Sequence, residues 1–90
     1  MGDVYLIERV RRDGAGAIDQ VRWYLKKPHA VGINVAVAAV IAALRRGAQV
    51  NVVVGLIIGE RVQVSPDGHT IVDLPGGNPK AFRLEDLPLI

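Results

Sequence analysis

The fold of this chain follows mainly from residues 23–55, which read WYLKKPHAVGINVAVAAVIAALRRGAQVNVVVG. Residues 30–46 are rich in alanine, valine and isoleucine, and they end in two arginines followed by Gly47. Cations in the last turn and a glycine just after it are typical of a helix C-terminus. The pattern predicts one long helix over residues 30–46, buried nearly all round. The valine-rich residues 49–54 that follow predict a buried strand.

A basic pair, Lys26-Lys27, lies before Pro28 and this predicted helix. The first backbone N–H groups of a helix have no partner within the helix, so a helix start favours an anion such as a phosphate. Two lysines beside a helix start therefore suggest nucleic-acid binding.

The other elements read mainly as strands. Residues 4–10 are rich in β-branched and aromatic types, which indicates a first strand. Residues 60–64 and 70–74 alternate on either side of Pro66-Asp67-Gly68, which predicts a C-terminal hairpin. Residues 17–27 fit both a helical and an alternating template, and the sequence leaves that choice open.

These elements predict a single domain over residues 1–90 in the α/β class. The expected architecture is a two-layer sandwich, with the long helix packed on a mostly antiparallel sheet. Half of the residues are apolar and the mean hydropathy is +0.27, which is high for a small soluble domain. Small residues give the predicted helix a face of low bulk, which packs either on the sheet or on a second copy: Gly32, Ala36, Ala39 and Ala43. We therefore expect a homo-oligomer, in the simplest case a dimer.

Composition excludes several classes of protein. The chain has no cysteine, so disulfides and thiolate metal sites are absent, which fits a reducing compartment. The longest uncharged run, residues 28–44, falls short of the roughly 20 residues that span a bilayer, and no signal-peptide pattern precedes it. We expect a soluble, cytoplasmic protein without a membrane partner.

Enzyme chemistry has little support in the sequence. The two histidines, His29 and His69, lack neighbouring paired carboxylates and give no metal-ligand spacing. Ser65 precedes Pro66-Asp67-Gly68 as turn residues do, and Gly14-Ala15-Gly16 lacks the rest of a dinucleotide fingerprint. The sequence predicts no catalytic residue, no metal site and no cofactor.

Charge has to be judged by its distribution, because eleven Lys and Arg against nine Asp and Glu leave a formal net charge of only +2. A strongly basic domain would indicate nucleic-acid binding by composition alone, and this one does not. The basic residues nevertheless fall in clusters, which are either contacts for phosphates or solvated ends of elements. The candidate nucleic-acid-binding residues are Lys26, Lys27, Arg22, His29, Arg45, Arg46, Arg11 and Arg12.

About a third of the chain resembles the amino-terminal half of the archaeal Alba chromatin proteins. The similar parts are residues 21–28 (VRWYLKKP), the apolar segment containing Ile33-Asn34-Val35, the stop Arg46-Gly47-Ala48 and the valine strand at residues 49–54. The family's second helix after the valine strand has no counterpart, and an additional strand precedes the similar part.

The resemblance implies that Lys26 and Lys27 contact the nucleic-acid backbone, that the protein is a dimer, and that the hairpin around Asp67-Gly68 is an extended arm. The leading interpretation is a non-enzymatic, largely sequence-independent DNA- or RNA-binding protein that acts through basic residues on phosphates. The alternative is a structural module that assembles through its apolar surfaces.

Overall fold

The computed structural model describes residues 2–90, which form one mixed six-stranded sheet and one α-helix. This agrees with the α/β class expected from the sequence. The elements are β1 (Val4–Arg12), β2 (Ile18–Leu25), β3 (Ile33–Ala36), α1 (Val37–Arg45), β4 (Gln49–Val54), β5 (Ile57–Val64), β6 (Ile71–Leu74) and a 3-10 turn (Leu84–Asp86).

The strand order is β3-β2-β1-β4-β5-β6, and β1 and β4 are the two central strands. They pair in parallel, from Val4 with Gln49 to Ile7 with Val52, whereas the other pairings are antiparallel. A parallel pair cannot be joined by a tight turn and needs a long crossover connection. Here β2, β3 and α1 supply it, so the helix is the return from one edge of the sheet to its centre.

The prediction of a helix over residues 30–46 is wrong in its first half. Ile33 and Val35 are β-branched and alternate with smaller or polar residues, and they pair with Trp23 and Val21 of β2. Pairing with an existing strand favours an extended backbone for such residues over a helix. The helix therefore begins at Val37 and has nine residues. No helix formed by residues 2–90 meets the length and apolarity needed to cross a membrane.

The prediction that the helix is buried nearly all round is also wrong. Val40, Ile41 and Ala43 are buried against the sheet, whereas Ala38, Ala39 and Ala42 are exposed. The predicted face of small residues does not exist as a helical face, since Gly32 and Ala36 precede the helix. The exposed surface of α1 is formed largely by these three alanines.

Residues 17–27, which the sequence left open, are mainly strand β2. Val21 and Trp23 are buried and lie opposite Val10 and Ile7 of β1. The strand interpretation prevails because β1 provides a partner whose apolar residues fall on the same face.

The core lies between the helix and the central strands. Its fully buried side chains come from β1, β2, α1 and β4: Ile7, Val10, Val21, Val40, Val50 and Val52. The C-terminal residues extend it, because Leu84 and Leu87 are buried and the backbone of Val10 bonds to Pro88 and Ile90. The tail thus pairs with β1 beyond the point where the pairing with β4 stops.

The turn between β5 and β6 is held against the rest of the protein. The Thr70 hydroxyl donates a hydrogen bond of 2.7 Å to the carbonyl oxygen of Ile18, at the start of β2. The helix contacts both β5 and β6 as well. The hairpin around Asp67-Gly68 is therefore not the extended arm that the resemblance implied.

A glycine on β5 gives the first prediction. A Cβ atom added at Gly59 would lie 2.5 Å from the backbone oxygen of Phe82, and that oxygen accepts a 2.8 Å hydrogen bond from the Glu60 N–H. We expect Gly59→Ala to lower the free energy of unfolding by about 1–3 kcal/mol, the usual cost of overpacking. Gly14→Ala is the matched control, because nothing lies within 4 Å of its added Cβ. Urea denaturation with equal midpoints for the two variants would contradict this packing.

Candidate nucleic-acid interface

The loop of residues 26–29, here the lysine loop, follows β2 in the connection to β3 and is exposed throughout. The Lys26 N–H continues the sheet by donating to the Val4 oxygen at 2.8 Å, and the Lys27 N–H turns back to Leu25 at 2.8 Å. His29 has φ 62°, a left-handed conformation that is uncommon outside glycine. The loop is thus a tight turn that directs its side chains into solvent.

The lysine pair does not lie at a helix start, which corrects the expectation from the sequence. Eight residues separate Pro28 from the first residue of α1, Val37, and β3 lies between them. The orphan N–H groups of a helix therefore do not contribute to anion binding here. Any attraction for phosphate at the lysine loop comes from the side-chain charges alone.

Neither lysine has a carboxylate partner within residues 2–90, where the ion pairs are Arg11–Asp19 and Arg22–Glu8. Their ammonium groups are exposed and uncompensated. This distinguishes them from two of the candidate arginines, which are already engaged.

Arg46 lies at the same end of the sheet as the lysine loop. Tyr5 of β1 pairs with Leu25 on one side and with Val50 on the other. Because neighbouring strands are about 4.8 Å apart, the end of β2 and the start of β4 are separated by roughly 10 Å. Arg46 caps α1 just before β4 and lines a shallow depression with Gly2 and Asp3.

Arg45 points in a different direction. Its guanidinium lies near the β5–β6 turn, where a Cβ atom added at Gly68 would be 3.5 Å from Nη2. It also occupies the last turn of α1, where its charge complements the helix dipole. The side chains of the adjacent residues Arg45 and Arg46 therefore lie on different parts of the surface.

Arg22 is paired across the sheet with Glu8, at 3.1 Å between Nε and Oε1. Glu8 lies at an irregularity in the β1–β2 register, between Ile7 and Arg9. Gly32 lies against the pair, and a Cβ atom there would displace the Glu8 carboxylate from this position. The positive charge of Arg22 is thus largely compensated in place.

Arg11 and Arg12 lie at the opposite end of β1. That strand has nine residues, so its ends are about 25 Å apart at roughly 3.3 Å per residue. Arg11 makes two 3.0 Å hydrogen bonds to the Asp19 carboxylate, which hold the pKa of that carboxyl below its usual value. Arg12 donates to the Gly16 oxygen at 2.9 Å. The eight candidate residues therefore do not form one surface.

The polar residues of the β5–β6 turn have structural roles. Asp67 accepts hydrogen bonds from the Ser65 hydroxyl and from the His69 N–H, and both lower the pKa of its carboxyl. The Ser65 oxygen in turn accepts from the Thr70 N–H at 3.1 Å. These bonds are those of a stabilised turn.

Two polar side chains, Asn51 and Glu60, are buried although the sequence does not indicate it. Glu60 accepts a 2.7 Å hydrogen bond from the Gly76 N–H, and Asn51 donates to the Gly59 oxygen at 3.0 Å. They adjoin a cleft of about 480 Å³ between β5 and the loop after β6. Residues 2–90 contain no group of three or more histidine, aspartate or glutamate side chains placed to hold a metal ion.

The sequence also missed an aromatic cluster beside the lysine loop. Tyr5 and Trp23 are stacked, with ring centroids 4.2 Å apart and planes 16° from parallel. They line a cleft of about 230 Å³, here the edge cleft, together with Tyr24, Lys27, Val31 and Ile33. The aromatic residues are visible in the sequence, but their proximity to Lys27 depends on β1 and β3 flanking β2.

Comparisons with protein-family models, with curated proteins and with solved structures found no match to this chain.

The Arg11–Asp19 pair gives a second prediction. Replacing Arg11 by alanine removes the hydrogen bonds that lower the pKa of Asp19, so that pKa should rise toward its ordinary value. An NMR titration of the side-chain carboxyl measures it. Because a lowered pKa stabilises the folded state above the unfolded pKa, any stability that the pair contributes is lost as the pH falls through the folded pKa. Arg12→Ala is the control and should leave Asp19 unchanged; the same titration curve in both variants would show that Arg11 is not engaged.

Proposed function

We propose that this protein binds DNA or RNA without enzymatic activity, through phosphate contacts made chiefly by Lys26 and Lys27. The observation that carries the proposal is that both ammonium groups are exposed and have no carboxylate partner within residues 2–90. A phosphate can approach them without breaking an existing ion pair. Arg46, at the same end of the sheet, adds a further positive charge and lies beside Asp3.

The other candidate residues take secondary roles in this proposal. Arg22 and Arg11 would have to leave Glu8 and Asp19, or share their charge with them, before contacting a phosphate. His29 lies within the lysine loop and adds a hydrogen-bond donor next to the lysines. The remaining candidates, Arg45 and Arg12, are supporting contacts for a nucleic acid long enough to reach them.

Binding of this kind is expected to be insensitive to sequence. Contacts to phosphates position a nucleic acid but do not read its bases, and each neutralised phosphate releases condensed counterions. Affinity should therefore fall steeply with salt. Because the net charge is only +2, binding depends on where the basic residues lie and not on the total charge.

The resemblance to Alba proteins supports the same proposal, since the similar residues include the lysine pair. By that resemblance, the protein would act on chromatin or RNA in the cytoplasm of an archaeal cell, as a homodimer. We also propose a two-layer sandwich with a C-terminal hairpin as the architecture. In it, α1 is one layer, the sheet is the other, and β5 paired with β6 is the hairpin.

The double variant Lys26→Ala/Lys27→Ala tests this function. We expect weaker binding and a shallower slope of log affinity against log salt, by roughly 0.9 per lysine on a duplex and roughly 0.7 on a single strand. Fluorescence anisotropy with a labelled oligonucleotide, repeated at several salt concentrations, measures both quantities. The fold should be unaffected because both side chains are exposed.

The double variant Arg61→Ala/Lys80→Ala is the control, because it removes the same net charge from exposed positions on β5 and the C-terminal segment. It should bind nearly as the parent does. If the two double variants lose the same affinity, net charge and not the lysine loop governs binding. Failure of the parent to bind any nucleic acid would remove the function.

A second candidate function is assembly through apolar surface, and the β4–β5 turn favours it. Leu56 is 100% exposed there, and Ile57 and Ile58 beside it are 60% and 43% exposed. A contiguous apolar group of this kind at the tip of a hairpin is typical of an interaction site.

Leu56→Glu tests the assembly candidate. If the tip forms a contact between copies, a buried charge there should convert an oligomer into a monomer in sedimentation at micromolar concentration. Ala42→Glu, on the exposed face of α1, is the control and should leave the mass unchanged. A parent protein that is monomeric throughout would argue against assembly by this surface.

A further inference from the structure

The edge cleft is an apolar, aromatic-lined recess that opens beside a free positive charge. Trp23 is only 7% exposed and is stacked on Tyr5, so the pair forms an ordered wall. Lys27 lies at the rim. Unlike a cleft in the middle of a sheet, this one lies at the outer strand, β3, and is open to a ligand from the side.

Two apolar residues of this cleft, Val31 and Ile33, are left uncovered by the rest of the chain. Val31 is 76% exposed and Ile33 is 58% exposed, although both are large and β-branched. They flank the Tyr5–Trp23 wall and belong to the same recess. Exposed apolar residues grouped in this way are typical of an interaction site.

The charge at the cleft restricts what that partner can be. Lys27 lines it, and no aspartate or glutamate is among its lining residues. Lys26 and His29 are in the same exposed loop. An apolar aromatic recess with a lysine at its rim fits a flat ring joined to an anion. In an unpaired nucleotide, the base and its phosphate have that arrangement.

We infer that the edge cleft is a subsite for one unpaired base of a single-stranded nucleic acid, with the adjoining phosphate on Lys27. The inference rests on the proposed function and specifies its substrate as single-stranded. Stacking on an aromatic side chain is a sequence-tolerant source of affinity, because every base has a π-face. The half-buried Tyr5 and Tyr24 supply the accessible rings of this cleft, since Trp23 is buried behind Tyr5. In a duplex the bases are already stacked and paired, and one must be unstacked before it can enter such a recess.

Trp23 provides the measurement, because it is the only tryptophan in the chain. The full-length protein is titrated with a single-stranded oligonucleotide of about ten thymidines and with a blunt DNA duplex of matched charge. We expect the single strand to change Trp23 fluorescence saturably and to bind at least about 10-fold more tightly, as a stacked base commonly contributes. The duplex should bind weakly and leave the fluorescence unchanged.

Val31→Glu places a carboxylate at the cleft without disturbing the core, because Val31 is exposed. It should weaken single-strand binding by about 10- to 100-fold, the range expected when a stacked base is lost. Leu89→Glu is the matched control, an equal change of charge at a residue that is 65% exposed on the C-terminal tail. It should bind nearly as the parent does. Circular dichroism verifies that both variants are folded.

Three outcomes would overturn the inference. Equal affinity for single strand and duplex, with Trp23 unchanged, would leave the phosphate-binding function standing and remove the base subsite. Absence of binding to either nucleic acid would remove both. A Trp23 signal that changes on dilution of the protein alone, and is abolished by Val31→Glu, would assign the cleft to a second copy of the chain.

Discussion

The parallel pairing of β1 with β4 is the contact on which the rest of this structure depends. It joins two antiparallel units, β3-β2-β1 and β4-β5-β6, into one sheet. Ile7, Val50 and Val52 are fully buried at this junction. A parallel pair must be connected over a long distance, so everything between β1 and β4 in the chain is constrained to leave the centre and return to it. The helix covers the core as a consequence of that return.

This constraint explains why the longest apolar segment is divided between two kinds of structure. The chain has to form the outer strand β3 before it turns back, and Ile33 and Val35 meet β2 in register. Only Val37–Arg45 remains for the helix. The division moves the helix start away from Lys26 and Lys27, so their attraction for anions depends on exposure and charge. It also leaves Val31 and Ile33 at an uncovered edge.

Pairing across the sheet determines which basic residues remain free. Arg22 meets Glu8, and Arg11 meets Asp19, because β1 and β2 are antiparallel neighbours. Exposed pairs of this kind contribute little to stability, but they compensate the charges of two candidate phosphate contacts. The uncompensated lysines carry the proposed phosphate binding, and the position of Lys27 beside the aromatic cleft carries the proposed base subsite.

Sequence alone predicts the α/β class, the buried strand β4 and the basic character of residues 26–27, because composition and local alternation express these directly. It could not determine that residues 33–36 are a strand, since a β-branched apolar run fits either structure until a partner strand is present. Nor could it place Tyr5 against Trp23 or Glu8 against Arg22, which are far apart in the chain. Those contacts depend on strand register, and register is fixed only when the two faces of a sheet are buried differently in the assembled fold.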